Sequence, residues 1–468
     1  MIYDTIIIGG GPAGYRAAEY LSEYKKSVCL IEQEKDHLGG TCLHEGCIPM
    51  KSMLISAETF HKIKSAEKYG INVKNPEINL KKIIEIAQSK SIQLQNGIAA
   101  KMKKNKITIK WGRGKLISEN EVEITSDNKE IIQGKNIIIA TGSKIKELKV
   151  EDPAKPWRSR EQLGKLIFNS KQLLTEPTLS KNILIIGGGY IGCEFASLYS
   201  MLGSDVSIVE IEDQLLPGED PDIARTLSRE FKKQKMKIMT KTKVVKISKN
   251  DVIHEDDKGK QTTQGYERIL VATGRIPNID DLGLDTINIT QKDGFITVDK
   301  SMKTNIHHIY AVGDVIHSPM LAHTAYREAL IAAQDIIGKK ELTINYNNIP
   351  RIIFTNPQIG CCGTAIVETL HVKSDEAHSE RSRTTSQMYF KQNGKAIVEN
   401  NDAGFVKIIY EKDTRKIVGT SIIGPHATEL IHECALAIEN NLTIDQIKNT
   451  IHGHPTLSEL IADTLFLH

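Results

Sequence analysis

A chain of 468 residues has room for three or four domains at roughly 100–200 residues each. It is 40% hydrophobic and 25% charged with a formal net charge of +3, a balance that argues against a nucleic-acid partner. Seven cysteines form no dense, evenly paired framework, and no run approaches the ~18 apolar residues of a membrane span, so neither a secreted disulfide scaffold nor a membrane protein is expected.

The segment Met1 to Gly9 runs straight into a strand, with no basic region, longer apolar core and cleavage site. The expected compartment is therefore cytoplasmic, where a disulfide is more often a redox device than a staple. Thr5 to Ile8 is a short β-branched run, the pattern of a strand covered on both faces. It ends in Gly9-Gly10-Gly11-Pro12-Ala13-Gly14, ahead of a helix expected from Ala13 to Ser22. Gly9, Gly11 and Gly14 fit G-x-G-x-x-G: the first permits the turn, the second lets a pyrophosphate approach the backbone, and the third lets helix and strand pack closely. A second strand, Ser27 to Ile31, leads to Glu32, an acid placed to accept from ribose hydroxyls. Strand, glycines, helix and terminal acid in this order predict a dinucleotide site.

The next stretch, Gly39 to Lys51, carries Cys42 and Cys47 five positions apart among glycines. On a helix that spacing is about one and a half turns. A bond between the two then requires a distorted first turn, because the Cα atoms must come within roughly 7 Å. So local a bridge constrains little of the chain, and its use would be to open and close; the alternative is two buried thiols. A positive helix end would favour a thiolate on the opened pair. Thr41 reads as a helix cap.

Ser52 to Lys101 reads as two helices with solvated lysine-rich faces. Short strands follow at Ile107–Lys110 and Glu121–Ile124, around Gly112-Arg113-Gly114, and Asn136–Ala140 leads into Thr141-Gly142-Ser143, whose small residues allow close approach. The stretch 144–161, with Pro153 and Pro156, reads as a linker and the first domain boundary. The first unit then repeats. Strand Asn182–Ile186 meets Gly187-Gly188-Gly189-Tyr190-Ile191-Gly192, a helix to Leu202, and strand Val206–Val209 ending at Glu210. Gly9 and Glu32 stand 23 positions apart, as do Gly187 and Glu210, so two dinucleotides are expected. A carboxylate at 210 suits free ribose hydroxyls and repels a 2′-phosphate, which predicts NAD over NADP. Val244 falls on a later strand of this unit, which closes at Leu270 to Asn278.

Strand Ile309–Val312 runs into Gly313-Asp314. Cys361 and Cys362 lie in an apolar run and read as strand thiols rather than a soft-metal site, and Cys29, Cys193 and Cys434 read as core. The segment 371–383 reads as an exposed loop. His454 precedes Pro455 and so is biased away from helix. An imidazole titrating near pH 6.5 suits thiol proton transfer, and Glu459 is placed to hold its other nitrogen; His452 is the local competitor. No metal-ligand spacing stands out.

Taken together, Gly39 to Lys51, Thr141-Gly142, Ala272-Thr273-Gly274-Arg275, Ala311-Val312-Gly313-Asp314, Pro319 to His323 and His452 to Glu459 resemble the pyridine nucleotide–disulfide oxidoreductases almost end to end. The segments Pro319 to His323 and His452 to Glu459 resemble the lipoamide branch more than the glutathione branch. The resemblance implies an α/β fold with two Rossmann-like dinucleotide-binding domains, a central domain and a C-terminal α+β dimerisation domain. It divides the chain at 1–150 (FAD and redox disulfide), 151–280 (NAD), 281–348 (central) and 349–468 (interface). It implies FAD contacts from Gly9, Gly11, Gly14, Glu32, Gly40, Thr41, Lys51, Gly114, Gly142, Asp314 and Ala322. It implies NAD contacts from Gly187, Gly189, Gly192, Glu210, Val244, Gly274 and Arg275.

The implied catalytic set is Cys42 and Cys47 as the redox disulfide, Lys51 paired with Glu194 beside the flavin, and His454 as base with Glu459, these two acting across a homodimer. The implied activity is oxidation of dihydrolipoamide with reduction of NAD⁺. The implied partners are lipoyl domains of 2-oxo acid dehydrogenase complexes or the glycine cleavage protein. An NAD(P)H-driven reductase of another disulfide, or a mainly structural flavoprotein subunit, are the rival readings. A mercuric reductase would end in a cysteine pair, whereas this chain ends Phe466-Leu467-His468. The chain departs from the family pattern at His44-Glu45, where Asn and a small apolar residue are usual, and at Met50, where a small hydroxyl residue is usual.

Overall fold

The structure is a computed structural model that describes residues 2–126, 128–148, 166–248, 251–364 and 383–466. Pro153 and Pro156 of the expected linker, the boundary at 150 and nearly all of the segment 371–383 lie outside the described residues. Two compact units emerge, each assembled from separated stretches of chain.

The first unit comprises 1–53, 80–147 and 274–346. Its centre is strand Ile2–Ile8, whose isoleucines Ile6, Ile7 and Ile8 are buried. It pairs in parallel with Val28–Glu32 on one side and Lys129–Ile139 on the other, with Ile7 opposite Leu30 and Ile138. Thr108–Trp111 extends one edge, and Glu121–Thr125 and Arg113–Leu116 extend the other as an antiparallel pair. A seventh strand, Ile309–Ala311, joins Lys129–Ile139 in parallel, Tyr310 opposite Ile138. Helix Pro12–Glu23 buries Ala13, Ala17, Ala18 and Leu21, the spacing of one helical face, in the core shared with helix Ala322–Ile336. Lys144 and Ile145 do not open a linker: Ser143–Ile145 pairs antiparallel with Arg275–Pro277, because the backbone of 274–277 supplies partners that local sequence cannot reveal.

The second unit comprises 54–79, 148–273 and 347–468. Its parallel sheet repeats the plan, with Asn182–Ile186 between Asp205–Val209 and Arg268–Val271. Val244 lies on Thr242–Ile247, in a separate three-stranded antiparallel sheet with a register shift just after it. The C-terminal part is a five-stranded antiparallel sheet covered by helix Ala427–Glu439. Gly360 lets that helix come close: a Cβ there would stand 2.5 Å from the Ala427 carbonyl oxygen. Cys361 and Cys362 are buried on strand Gln358–Gly363, successive residues pointing to opposite faces. Cys29, Cys193 and Cys434 are buried as expected. Among the described residues no helix is long and apolar enough to cross a membrane.

Candidate active site

The glycine loops follow one geometry. Gly9 has φ +111°, and a Cβ on it would meet the Ala140 carbonyl oxygen at 2.3 Å; Gly187 has φ +107°, with the Ala272 oxygen at 2.4 Å. A Cβ on Gly14 would sit 1.8 Å from the Gly9 oxygen, and one on Gly192 1.9 Å from the Gly187 oxygen, so helix and strand touch through these positions. By contrast, a Cβ on Gly11 would meet only the Gly40 Cα at 3.9 Å, and one on Gly189 would meet nothing within 4 Å. The middle glycines thus border open space at a helix N-terminus, which is what a pyrophosphate needs. Glu32 accepts from the Gly10 N–H at 2.8 Å and Glu210 from the Gly188 N–H at 2.5 Å. Burial pushes the Glu32 carboxyl up. These observations fit two dinucleotides.

The cysteine segment lies against the first loop. Helix Gly40–His44 carries Cys42 and ends at Glu45; a second helix, Cys47–Lys64, begins at Cys47. The break at Glu45-Gly46 is the distortion that the spacing requires. The cap of the first helix is Gly39, at φ 100°, and not Thr41, which lies inside the helix: only glycine takes that left-handed turn readily. Cys42 and Cys47 stand as thiols in hydrogen-bond contact, and that bond, together with burial, pushes the Cys42 thiol well above the ordinary thiol range. The positive end of the 18-residue helix falls on Cys47. Lys51 and Asp314 both exert their charge on Cys42. Tyr15 and Tyr326, hydroxyls 2.6 Å apart, lie in the field of the same thiol.

Asp314 sits in the turn after Ile309–Ala311, accepting from Ser143 Oγ at 2.5 Å. Arg275 donates through Nε to Ser143 Oγ and through Nη2 to the Ser143 carbonyl, both at 2.7 Å. Burial lowers its pKa against the fields of Asp314, Glu45 and Cys47, so its side chain belongs with the cysteine pair, in the first unit. The carboxyl of Glu328, itself buried, holds the turn from behind, accepting from the Gly313 N–H at 2.7 Å and the Tyr346 hydroxyl at 2.9 Å. Burial pushes its pKa up to about 7. Gly142 and Gly274 have φ +72° and +113° with no atom near a would-be Cβ, and Gly114 packs on Ile8 and Ile31. Ala322 opens helix Ala322–Ile336. Sequence reasoning singled out Asp314 and Arg275 but not Ser143, which joins them, nor Glu328, Tyr15 or Tyr326.

In the second unit Glu194, buried, accepts from the Phe354 N–H at 3.0 Å. Lys51 belongs to the first unit. At the C-terminus His454 Nδ1 donates to Glu459 at 2.8 Å, and the other Glu459 oxygen accepts from the Thr456 N–H at 2.7 Å. Those bonds, Thr456 first, lower the Glu459 pKa. The His454 side chain is 79% exposed, with Nε2 outside the Glu459 pairing. His452 is different: Nδ1 meets the Thr450 carbonyl at 3.0 Å and Nε2 meets Glu433 at 2.8 Å. Both acceptors demand a proton, and although burial opposes it, the Glu433 contact raises the His452 pKa. With both nitrogens against acceptors His452 has no nitrogen left to take a proton, whereas Nε2 of His454 lies outside the Glu459 contact.

The model of the pyridine nucleotide-disulphide oxidoreductases matches residues 3–329, and that of their dimerisation domain matches 349–465. The chain belongs to this family. It is a flavoprotein disulfide oxidoreductase of a family that binds FAD and NAD(P), and its dimerisation domain implies a homodimer. Dihydrolipoyl dehydrogenase of Bacillus subtilis is 37% identical over 465 residues, covering 98% of this chain and 97% of its own. That of Chlamydia pneumoniae is 36% identical over 475 residues, covering 99% and 96%. Among solved structures, LpdA of Mycobacterium tuberculosis superposes with a TM-score of 0.87 at 24% identity, covering 99% of each chain. The HOCl-induced flavoprotein disulfide reductase RclA of Escherichia coli gives a TM-score of 0.84 at 24% identity, covering 99% of this chain and 100% of its own. These two likenesses bear on the fold, which is the mixed α/β fold of the FAD/NAD-binding disulfide reductases with a C-terminal dimerisation domain.

Proposed function

We propose that this chain is a dihydrolipoyl dehydrogenase, oxidising protein-bound dihydrolipoamide to lipoamide and reducing NAD⁺ to NADH. The observation that carries the reading is the Cys42–Cys47 thiol contact beside the first glycine loop, in a chain that also holds an outward His454 fixed by Glu459. The 36–37% identity to dihydrolipoyl dehydrogenases along nearly the whole chain supports it.

In the oxidised pair a substrate thiolate attacks Cys42 Sγ; the bond to Cys47 breaks and Cys47 leaves as a thiolate, giving a mixed disulfide on Cys42. The second substrate thiol then attacks its own sulfur held by Cys42, closing lipoamide and releasing Cys42. His454 takes the substrate thiol proton at Nε2, and Glu459 holds Nδ1–H so that the free nitrogen is the basic one. Cys42 receives a proton as it is released, which suits the raised pKa of that thiol. Bound FAD supplies the two-electron acceptor between thiol and nicotinamide. Gly9, Gly11, Gly14, Glu32, Gly40, Thr41, Gly114, Gly142, Asp314 and Ala322 would hold it, and Lys51 and Glu194 would pair at its reacting end. Gly187, Gly189, Gly192, Glu210, Val244 and Gly274 would serve NAD⁺, with Glu210 selecting against a 2′-phosphate, while Arg275 would serve on the cysteine side.

His454 and Glu459 would act on the cysteine pair of a second copy, and the 1–150, 151–280, 281–348 and 349–468 divisions would carry FAD, NAD, central and interface roles in the cytoplasm. The substrates would be lipoyl domains of 2-oxo acid dehydrogenase complexes or the glycine cleavage protein. Purified, flavin-loaded protein mixed with dihydrolipoamide and NAD⁺ should produce NADH, read by absorbance. No NADH under these conditions, with NADPH consumed by glutathione disulfide instead, overturns the reading.

A further inference from the structure

His44 and Glu45, two of the residues at which the cysteine segment departs from the expected pattern, belong to a cluster that the proposed reaction does not use. The turn after strand Val28–Glu32 brings in Glu34 and His37. Glu34 Oε2 lies 3.5 Å from His37 Nδ1, and Glu45 Oε1 lies 3.6 Å from His37 Nε2. One ligand atom from each of the three residues lies within 4.8 Å of the others.

The His37 ring stacks on that of His44 with centroids 4.0 Å apart, and His44 is itself fixed, its Nε2 2.9 Å from the Leu38 carbonyl. The imidazole is thus oriented by its neighbour, much as an outer layer orients a metal-binding histidine. Both ring-to-carboxylate separations exceed the about 2.7–2.9 Å of a charge-assisted hydrogen bond. A cation binds one imidazole nitrogen only: the 3.6 Å from Glu45 to Nε2 is close to the edge of a tetrahedron, about 3.4 Å, around a cation with ligands at about 2.0–2.2 Å, and Glu34, which now faces Nδ1, has to swing from that edge of the ring to join it. His37 and Glu45 are only 20% and 18% exposed, so two of the three are held in place; Glu34, at 56%, is the one able to close in.

We propose that Glu34, His37 and Glu45 bind a divalent cation of zinc's class beside the cysteine pair. Two carboxylates and one imidazole suit zinc, cobalt or manganese; calcium and magnesium favour oxygen alone, and cuprous ion favours sulfur. The ion would join the turn after the second strand to the break between the two cysteine-bearing helices. The site does not depend on the proposed substrate.

The test uses flavin-loaded protein that has been reduced and alkylated with iodoacetamide, so that Cys42 and Cys47 cannot take the ion. Zinc chloride titrated against a chromophoric chelator should bind at one ion per chain, and cobalt chloride should give d–d bands of a nitrogen–oxygen site. His37→Ala and Glu45→Gln should each weaken zinc at least tenfold with the flavin spectrum unchanged. Absence of binding in the alkylated protein, or equal affinity in the double variant, overturns the proposal. Should a variant fail to hold flavin, the unsubstituted protein decides: zinc should protect His37 from diethylpyrocarbonate, read by mass spectrometry, and unprotected His37 overturns the site.

Discussion

The two glycine loops share strand, helix, terminal carboxylate and closely similar glycine geometry, yet different things lean on them. Gly40 of the cysteine segment stands 3.9 Å from where a Gly11 side chain would begin, and a side chain on Gly313 would begin 3.6 Å from the Cβ of Ala13 on the helix that follows the loop. Nothing among the described residues comes within 4 Å of the equivalent point at Gly189. Both loops leave room at the middle glycine, but the first has further chain of its own unit packed at its edge. A walled cradle suits a dinucleotide that stays through many turnovers; an open one suits a dinucleotide that comes and goes.

The largest expected effect falls on the positions where the loops are alike. Gly14→Ala places a methyl against a backbone oxygen that cannot retreat, at a cost of about 3 kcal/mol or more. Thermal unfolding should show that loss together with loss of flavin. Gly192→Ala should destabilise as much while leaving flavin bound, and equal flavin loss in both would erase the distinction. Next, only the first half ends in thiols. His454→Gln should lower dihydrolipoamide oxidation by about 10²–10⁴-fold, with NADH-driven bleaching of the flavin, followed by stopped flow, unaltered.

Glu328 stands behind the Asp314 turn, on the side of the first loop. Its folded pKa of about 7 lies above the ordinary carboxyl value, so its neutral form is the favoured one in the fold. Stability from this group is complete below pH 4.5 and is lost as pH rises to 7, by of order 3 kcal/mol. Glu328→Gln should flatten that stretch of the denaturant-midpoint profile relative to the unsubstituted protein. The smallest effects belong to the middle glycines. Gly11→Ala and Gly189→Ala fit their folds, yet each should weaken its own dinucleotide about tenfold, or 1.4 kcal/mol, by flavin release in one case and NAD⁺ titration in the other.

What could be read in advance was what neighbours in sequence decide. Glycine spacing, β-branched runs and the acid 23 positions on are local, and both loops formed as expected. Preference for His454 over His452 came from Pro455 and family likeness, whereas the physical reason, Glu433 saturating His452, arrives from 19 positions away. The Ser143 bridge between Arg275 and Asp314 spans 132 and 171 positions and leaves no local trace. Thr41 failed as a cap because the backbone preference of Gly39 outweighs a hydroxyl. The start of the linker at Lys144 failed because a strand partner, Ile276, 132 residues later captured it.

The strand Ile309–Ala311 has a consequence for synthesis. The sheet beneath the first glycine loop is not complete until a piece of chain made some 170 residues after Lys129–Ile139 is laid beside it, bringing the aspartate turn along. A ribosome must therefore release more than 310 residues before the earliest-made site has its last wall. Chains stalled within the intervening second unit would lack the Asp314 turn altogether, however well their N-terminal strands had already paired.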